Sequence, residues 1–242
     1  MIGAQGGGFV IEARELMKTY PDGTTALEGI DLRVDTGELL FIRGQSGAGK
    51  TTLFRLITGM ESPSGGTLVV DGHDMDRAPA GVVRQLRRQL GIVFQDFRLI
   101  RGRTAQENVE LGMRVLGIRG AAMRKSASEL LERVGLEHRR MTLVDALSWG
   151  ERQRLEVARA LARDPSIIIA DEPTGNLDQE LSELVLELFY SAHRRGTTVL
   201  IATHAQALLS ATDHRVVTLA RGRLIRDTGT ARREGGVDHV PG

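Results

Sequence analysis

Short apolar runs alternate with stretches of helical periodicity along the chain. Residues 38–43 (ELLFIR), 166–170 (SIIIA) and 198–202 (TVLIA) have continuous apolar centres, a pattern typical of parallel strands that are covered on both faces. Elsewhere the apolar residues recur every three or four positions, as they do in amphipathic helices. These helical stripes lie in residues 50–60, 121–134, 155–162 and 181–189. Strands that alternate with helices predict an α/β core with a parallel sheet.

Two departures from this alternation predict additional parts. Residues 9–35 read as strands around a turn at residues 20–23 (YPDG), and residues 67–70 read as a further strand, which indicates a small antiparallel β subdomain. The mostly helical stretch from about 97 to 154 separates two core strands and predicts an inserted helical subdomain. Together these parts form a single domain over residues 9–229.

Composition restricts the class of protein. The chain has 242 residues, a net charge of +1, 41% apolar residues and 4% aromatic residues, so its core is built from aliphatic side chains. The absence of Cys excludes disulfides and thiolate metal sites and favours a reducing compartment. The apolar runs are too short to span a bilayer, and the near-neutral charge predicts no nucleic-acid partner. We expect flexible residues at 1–8, which do not resemble a signal peptide, and a loose polar tail at 230–242.

Charge is distributed unevenly. The run from Arg77 to Arg103 contains seven Arg and one acidic residue, Asp96. Since nearly all basic residues of this chain are Arg, such a run forms easily on a solvated face. A surface that binds an acidic partner is the alternative interpretation.

A glycine-rich loop follows the first apolar run and opens a helical stripe. Residues 44–51 match the phosphate-binding pattern G-x-x-x-x-G-K-[ST], in the strand-to-helix context that the pattern requires. Its backbone N–H groups and the helix N-terminus suit phosphate oxygens, Lys50 can reach the β- and γ-phosphates, and the Thr51 hydroxyl can bind Mg²⁺. The predicted nucleotide-binding residues are Gly44, Gln45, Ser46, Gly47, Ala48, Gly49, Lys50, Thr51 and Thr52.

Two carboxylates end the apolar run at residues 166–170. Asp171 can hold Mg²⁺ through its hydration shell, and Glu172 can polarise an attacking water. Both follow the carboxyl end of a predicted strand, where ligands bind in open α/β sheets. With an intact phosphate-binding loop in the same chain, they predict nucleotide hydrolysis.

The order of these motifs resembles that of the ATPase subunits of ABC transporters, over about residues 9–225. The resemblance implies a RecA-like P-loop NTPase core, ATP and Mg²⁺ as cofactors, and a homodimer that forms on ATP binding. The family motif LSGGQ, which faces ATP on the opposite subunit, corresponds here to LSWGE. Ser148 and Gly150 keep the hydroxyl and the backbone N–H that suit an anion. Trp149 and Glu151 depart from the motif, and Trp149 either lies at the dimer seam or packs on the helical subdomain.

The resemblance also implies roles for four other positions. Tyr20 corresponds to the aromatic residue that stacks on adenine, and His204 to the histidine that contacts the γ-phosphate and acts in catalysis with Glu172. Gln95 corresponds to the glutamine that senses Mg²⁺ and the attacking water and that links to the membrane partner. Contacts with the opposite subunit are implied for Asn176 and Asp178. The implied Mg²⁺ ligands are Thr51, Gln95 and Asp171.

Narrower motifs resemble the FtsE branch of this family, the ATPases of a bacterial cell-division complex. They are residues 94–99 (FQDFRL), followed by 103–104 and 107–109, and residues 175–178 (GNLD), followed by 181–183 and 188–189. The branch implies an FtsX-like integral membrane subunit and peripheral association with the cytoplasmic face of the bacterial plasma membrane at the division site. It also implies ATP-driven conformational signalling that regulates peptidoglycan hydrolases.

Two other functions stay open. One is the ATPase of a lipoprotein-release or macrolide-efflux transporter, which shares the chemistry and differs in its membrane partner. The other is a soluble ABC protein acting on DNA, a class that usually carries long coiled-coil insertions or zinc sites. The chain has no Cys and no long heptad run, which argues against the DNA-acting class.

Overall fold

The computed structural model describes residues 8–205, 208–209 and 212–229. Apart from Gly8, the residues predicted to form a flexible start and a polar tail lie outside the described residues. Among the described helices, none is long and apolar enough to cross a membrane.

The strands are β1 (Phe9–Thr19), β2 (Thr25–Asp35), β3 (Leu39–Arg43), β4 (Gly65–Val70), β5 (His73–Asp74), β6 (Leu90–Val93), β7 (Ile167–Asp171), β8 (Thr198–Thr203), β9 (Arg215–Ala220) and β10 (Arg223–Asp227). The helices are α1 (Lys50–Ile57), α2 (Ala80–Gln89), α3 (Ala105–Arg114), α4 (Gly120–Arg133), α5 (Trp149–Leu161) and α6 (Gln179–Arg194). Strand and helix alternate through the core, and α3, α4 and α5 lie between β6 and β7.

The strands form two sheets. One is antiparallel, with the strand order β2-β1-β4-β5. The other has the order β10-β9-β3-β8-β7-β6, in which β9, β3, β8, β7 and β6 are parallel and β10 adds an antiparallel edge. The structure therefore confirms the predicted α/β architecture with a parallel sheet and an antiparallel sheet.

The parallel sheet is buried on both faces, which explains the continuous apolar runs. Along β3, Phe41 belongs to a cluster with apolar residues of α3, α4, α5 and α6. Its neighbour Ile42 belongs to the opposite cluster, with α1 and the antiparallel sheet. Because successive side chains of a strand point to opposite faces, residues 39–42 of β3 are all apolar and buried, whereas Arg43 at its end is exposed.

Helix α2 falls in the Arg-rich run, where the sequence pattern predicted no helix. Val82, Val83 and Leu86 lie at helical spacing, and of these only Leu86 is buried. Arg87 has a structural role, since its guanidinium donates hydrogen bonds to the carbonyl oxygens of Thr58 and Gly59 just after α1. Arg84 and Arg88 are exposed, as expected for a solvated face.

Candidate nucleotide-binding site

Predicted residues of the phosphate-binding loop meet Gln95, Asp171, Glu172 and His204 at the carboxyl ends of the neighbouring strands β3, β8, β7 and β6. A cavity of about 510 Å³ lies there. It is lined by Thr24, Thr25, Ala26, Gln45, Ser46, Gly47, Ala48, Gly49, Lys50, Thr51, Thr52, Gln95, Asp171, Glu172 and His204. The sequence analysis missed Thr24, Thr25 and Ala26, whose only signal was their position after the turn at residues 20–23.

The phosphate-binding loop (residues 44–51) joins β3 to α1 by a path that requires glycine. Gly49 has a φ of 107°, and a Cβ built on it would lie 2.7 Å from the carbonyl oxygen of Ala26. Helix α1 begins at the next residue, Lys50. The first N–H groups of a helix have no partner within the helix, so this end of α1 faces the cavity as a site for an anion.

Lys50 lies inside the site. Its side chain is 8% exposed, and its ammonium donates hydrogen bonds to the carbonyl oxygens of Gly44 at 2.7 Å and Gln45 at 3.2 Å. The same ammonium lies 3.4 Å from Glu172 Oε1. Lys50 therefore places a positive charge between the loop and the carboxylate that follows β7.

Asp171 is the last residue of β7 and is 4% exposed. Its Oδ2 accepts a hydrogen bond from the Thr51 hydroxyl at 2.6 Å, whereas its buried Oδ1 has no hydrogen-bond partner among the described residues. Burial raises the pKa of Asp171, although the Thr51 hydrogen bond and Lys50 act in the opposite direction. A hard divalent cation prefers carboxylate and hydroxyl oxygens, so this pair of side chains fits Mg²⁺.

Glu172 contacts both Lys50 and His204. Its Oε1 faces Lys50, and its Oε2 lies 3.0 Å from His204 Nδ1. Glu172 has a φ of 51°, an uncommon conformation for a residue with a side chain, and such conformations concentrate at functional sites. His204 follows β8 directly, and its side chain is 68% exposed towards the cavity opening.

Gln95 and Tyr20 border the site. Gln95 is exposed in the loop of residues 94–100, which we call the Q-loop, directly after β6. Its side chain lines this cavity and a second, adjacent cavity. The Tyr20 hydroxyl lies 3.3 Å from Thr52 Oγ1, which places the ring beside the end of the phosphate-binding loop.

The turn of residues 148–151, which we call the signature turn, caps α5. The Ser148 hydroxyl accepts a hydrogen bond from the Glu151 backbone N–H at 3.3 Å, and the Glu151 carboxylate accepts one from the Ser148 N–H at 2.8 Å. This capping box is written in the sequence as S-x-x-E. The Ser148 hydroxyl still has its own proton to donate to an anion. The Ser148 N–H also lowers the pKa of Glu151.

Trp149 lies at the first position of α5 and is 39% exposed. Its ring meets the ring of Phe97 edge-on, with the centroids 4.7 Å apart, so it contacts the Q-loop as well as facing solvent. The second cavity has a volume of about 260 Å³ and is lined by Gln95, Trp149, Gln153, Glu172, Gly175, Asn176 and His204. The sequence analysis missed both the Phe97 contact and Gln153.

The segment of residues 176–178 follows the site residues of β7. Asn176 is exposed and lines the second cavity. The Asp178 carboxylate accepts a hydrogen bond from the Leu181 N–H at 2.8 Å and caps α6. In this subunit Asp178 therefore has a helix-capping role beside the intersubunit role implied by the resemblance.

Glu156, on α5 behind the Q-loop, is the most strongly perturbed acid near the site. Its side chain is 0% exposed, and burial raises its pKa to about 7, although Arg159 and the backbone N–H groups of Arg98 and Phe94 act in the opposite direction. Folding therefore favours the neutral form of Glu156 relative to the unfolded chain.

Glu156→Gln is expected to change how stability depends on pH. A pKa raised from 4.5 to about 7 costs the folded parent about 3 kcal/mol once the pH exceeds the higher value. The parent should therefore lose stability relative to Glu156→Gln as the pH rises through this interval, and the difference between the two should be constant below pH 4.5. Denaturant unfolding of both proteins across this range measures the difference. A difference that does not vary with pH would show that Glu156 titrates normally.

These features define the class of protein: an α/β protein with a phosphate-binding loop and, at the same strand ends, a hydroxyl–carboxylate pair and a second carboxylate. Residues 27–175 match the family model described as ABC transporter. The chain belongs to the ABC transporter family, and it is an ATPase of the ABC type.

Curated relatives show which branch of the family the chain resembles. It is 41% identical over 230 residues to the cell division ATP-binding protein FtsE of Escherichia coli (strain K12), covering 95% of this chain and 100% of that protein. The FtsE protein of Mycobacterium tuberculosis (strain ATCC 25618 / H37Rv) is 42% identical over 202 residues, which cover 84% of this chain and 88% of that protein.

Solved structures agree with the assignment to the ABC transporter family. The ATP-binding cassette MJ0796, in a dimeric post-hydrolysis state bound to ADP and Pi, superimposes with a TM-score of 0.84 at 33% identity, covering 90% of this chain and 97% of that chain. The protein cbiO1 of Clostridium perfringens, part of the ABC transporter complex cbiONQ, has a TM-score of 0.79 at 30% identity, covering 94% of this chain and 91% of that chain. The fold is thus that of an ABC cassette, and the protein, as an ATPase of this type, binds ATP.

Proposed function

We propose that this protein hydrolyses ATP as the nucleotide-binding subunit of an FtsE-like membrane complex. The observation that carries the hydrolytic part is the convergence of Lys50, Asp171, Glu172 and His204 on one cavity behind the phosphate-binding loop. The similarity to FtsE proteins supports the choice of complex.

The cation of the reaction is Mg²⁺. The buried, unpaired Oδ1 of Asp171 and the adjacent Thr51 hydroxyl supply the oxygen ligands that this ion prefers. Gln95, at the edge of the same cavity, supplies an amide oxygen. When bound, Mg²⁺ neutralises phosphate charge.

Lys50, Glu172 and His204 have separate roles in hydrolysis. Lys50 contacts Glu172 in this structure, and the ATP phosphates, with their higher charge, compete with the carboxylate for the ammonium. Glu172 Oε1 is then free to accept a hydrogen bond from the attacking water and to take its proton. His204 holds Glu172 Oε2, which orients the carboxylate, and its exposed ring lies where a γ-phosphate contact is possible.

The active form is a homodimer that assembles on ATP. In each subunit the Ser148 hydroxyl and the backbone N–H of Gly150 lie at the start of α5, a polarity that suits the γ-phosphate of ATP bound to the other subunit. Asn176 and Asp178 lie in the segment that would face the same seam. The dimeric, ADP- and Pi-bound structure of MJ0796 supports this assembly.

The membrane partner is an FtsX-like integral subunit. A groove of about 170 Å³ adjoins the Q-loop and α3, with exposed apolar side chains at Ile100 and Leu111 and charged ones at Arg103, Glu107 and Arg114. Apolar anchors with a charged rim are typical of a site for a short helix of a partner. The Phe97 ring of the Q-loop does not line this groove and contacts Trp149.

Through this partner the ATPase cycle signals across the plasma membrane at the division site. The protein associates peripherally with the cytoplasmic face, and ATP-driven changes in its shape regulate peptidoglycan hydrolases instead of moving a solute. No nucleic acid takes part.

Ile100→Asp is expected to weaken membrane recruitment by about tenfold or more, because it places a charge in the apolar centre of the groove. ATP affinity of the isolated protein should stay at the parent value, since Ile100 does not line the nucleotide cavity. Membrane fractionation with nucleotide titration measures both. Met141→Asp is the matched control, because Met141 is 70% exposed and does not line the groove. A membrane-bound fraction equal to the parent's would move the partner site elsewhere.

Co-purification from membranes, with identification of the bound integral protein, tests the proposed complex. An FtsX-like protein with a modest extracellular loop would support it. A partner with a large periplasmic domain would instead assign the chain to a lipoprotein-release or macrolide-efflux transporter and overturn the division-complex proposal, while leaving the hydrolytic proposal intact.

A further inference from the structure

An aromatic contact joins the Q-loop to α5. The rings of Phe97 and Trp149 meet at an interplanar angle of 62°, with their centroids 4.7 Å apart, the edge-to-face arrangement that aromatic pairs prefer. Phe97 has a φ of 29°. A bulky residue keeps a left-handed conformation only where its surroundings hold it there, so the contact constrains the loop.

A polar contact joins the same two elements one residue further along the loop. The Arg98 backbone N–H donates to Glu156 Oε1 at 3.2 Å, and the Arg159 guanidinium donates to the Arg98 carbonyl oxygen. Arg159 also donates to Glu156 Oε1 at 3.0 Å. Side chains of α5 therefore hold both backbone polar groups of Arg98.

The α5 side chains involved share one face of the helix. Trp149, Gln153 and Glu156 are spaced by four and then three residues, which places them in one stripe. Gln153 is 1% exposed, and its amide donates to the carbonyl oxygen of Pro173 at 2.9 Å. Pro173 directly follows Glu172, so the stripe reaches the Q-loop on one side and the catalytic carboxylate segment on the other.

We propose that this stripe of α5 sets the position of Gln95 relative to Glu172, with Phe97, Trp149 and Glu156 as positioning residues. Gln95 and Glu172 line the second cavity together with Trp149 and Gln153, so a shift of the stripe changes the space between the amide and the carboxylate. The inference rests on the role proposed above for Gln95. It gives Trp149, the departure from the family motif, a function within its own subunit.

The same connection reaches the proposed partner groove. At the far end of the Q-loop, the Ile100 N–H donates to Asn108 Oδ1 at 2.7 Å, and the Asn108 amide donates back to the Ile100 carbonyl oxygen at 3.2 Å. Asn108 lies on α3 and is 1% exposed. The Q-loop is thus held by α5 next to Gln95 and by α3 next to the groove, so a displacement of either helix is passed on to Gln95.

Fluorescence tests the contact directly, because Trp149 is the only Trp of the chain. Removing the Phe97 ring exposes more of the indole, and Phe97→Ala should shift the emission maximum to longer wavelength. Phe9→Ala is the matched control, since Phe9 lies in the antiparallel sheet and is 42% exposed, and its spectrum should equal that of the parent. An unchanged spectrum for Phe97→Ala would overturn the aromatic contact.

Single-turnover hydrolysis with enzyme in excess tests the positioning role. The free energy of an edge-to-face aromatic contact, if lost from the transition state, corresponds to about threefold to tenfold in rate. We therefore expect Phe97→Ala and Trp149→Gly to hydrolyse ATP about threefold to tenfold more slowly than the parent. The affinity for ATP should change less than about twofold, because the nucleotide contacts remain. Trp149→Phe keeps a ring and should recover most of the rate. A merely structural role would give equal rates for Trp149→Phe and Trp149→Gly, or a common loss of affinity, and either result would contradict the proposal.

Variants of Glu156 test the positioning proposal independently. Glu156→Gln keeps an acceptor oxygen for the Arg98 N–H and should hydrolyse ATP at the parent rate, whereas Glu156→Ala should be slowed. Equal rates for the two variants would remove Glu156 from the proposal. Gln95→Ala distinguishes a failure of the role proposed for Gln95 from a failure of the positioning proposal. If Gln95→Ala hydrolyses ATP at the parent rate, Gln95 does not have the proposed role. If Gln95→Ala is slow while Phe97→Ala is not, only the positioning proposal fails.

Discussion

Glu172→Gln should bind ATP as tightly as the parent protein and hydrolyse it about 100 times more slowly or worse. The amide keeps the size and hydrogen-bonding reach of the carboxylate but cannot take a proton from water. Its side chain also loses the negative charge that faces Lys50 at 3.4 Å, which leaves the ammonium free for phosphate. The variant should therefore accumulate as an ATP-bound dimer.

Phosphate release and size-exclusion chromatography in the presence of ATP measure both effects. Glu132→Gln is the matched control, because Glu132 is exposed on α4 outside both cavities, and it should behave as the parent does. If Glu172→Gln turned over ATP at the parent rate, Glu172 would not be the base, and the proposed division of roles around the cavity would have to be revised.

Lys50→Ala should lose ATP affinity by about 100-fold or more, because it removes a buried charge partner of the phosphates. Glu172, whose side chain is 12% exposed, then loses its cation as well, so the site becomes more negative where the γ-phosphate is expected. Both changes oppose ATP binding, and hydrolysis should fall with them.

Calorimetric titration with ATP measures this loss. Lys125→Ala makes the same chemical change on α4, where the ammonium lies 3.8 Å from Glu129 and the side chain is 80% exposed, and its affinity should match the parent's. Because Lys50 also contacts Gly44, Gln45 and Glu172, the melting temperature of Lys50→Ala without nucleotide should fall below that of the parent. A parent-like affinity in Lys50→Ala would mean that the loop N–H groups alone hold the phosphates.

The sequence by itself determined the core and the chemical centre of the site. Residues 44–51 form a phosphate-binding loop through local requirements, such as the positive φ of Gly49 and the start of a helix at Lys50. Residues 39–42, 167–170 and 199–202 are apolar throughout because both faces of the sheet are covered there. Asp171 and Glu172 were predictable because ligands bind at the carboxyl ends of parallel strands, whereas His204 was predicted only through the resemblance to ABC ATPases.

Elements with weak local signals depended on their tertiary surroundings. Helix α2 has Val82, Val83 and Leu86 at helical spacing, but it lacks a side-chain N-cap and buries only Leu86, and the sequence analysis missed it. Strand β10 adds an antiparallel edge to a parallel sheet, and its Ile225 is 63% exposed, so it lacks the apolar run that marks the central strands.

What only the tertiary structure decided is how distant segments meet. Phe97 and Trp149 are neighbours in space, yet no local pattern relates a residue after β6 to the first residue of α5. The raised pKa of Glu156 has the same origin, because its burial depends on the Q-loop that covers it. Periodicity and motifs describe forces within one segment, whereas ring contacts, desolvation and the space between Gln95 and Glu172 arise only when segments pack together.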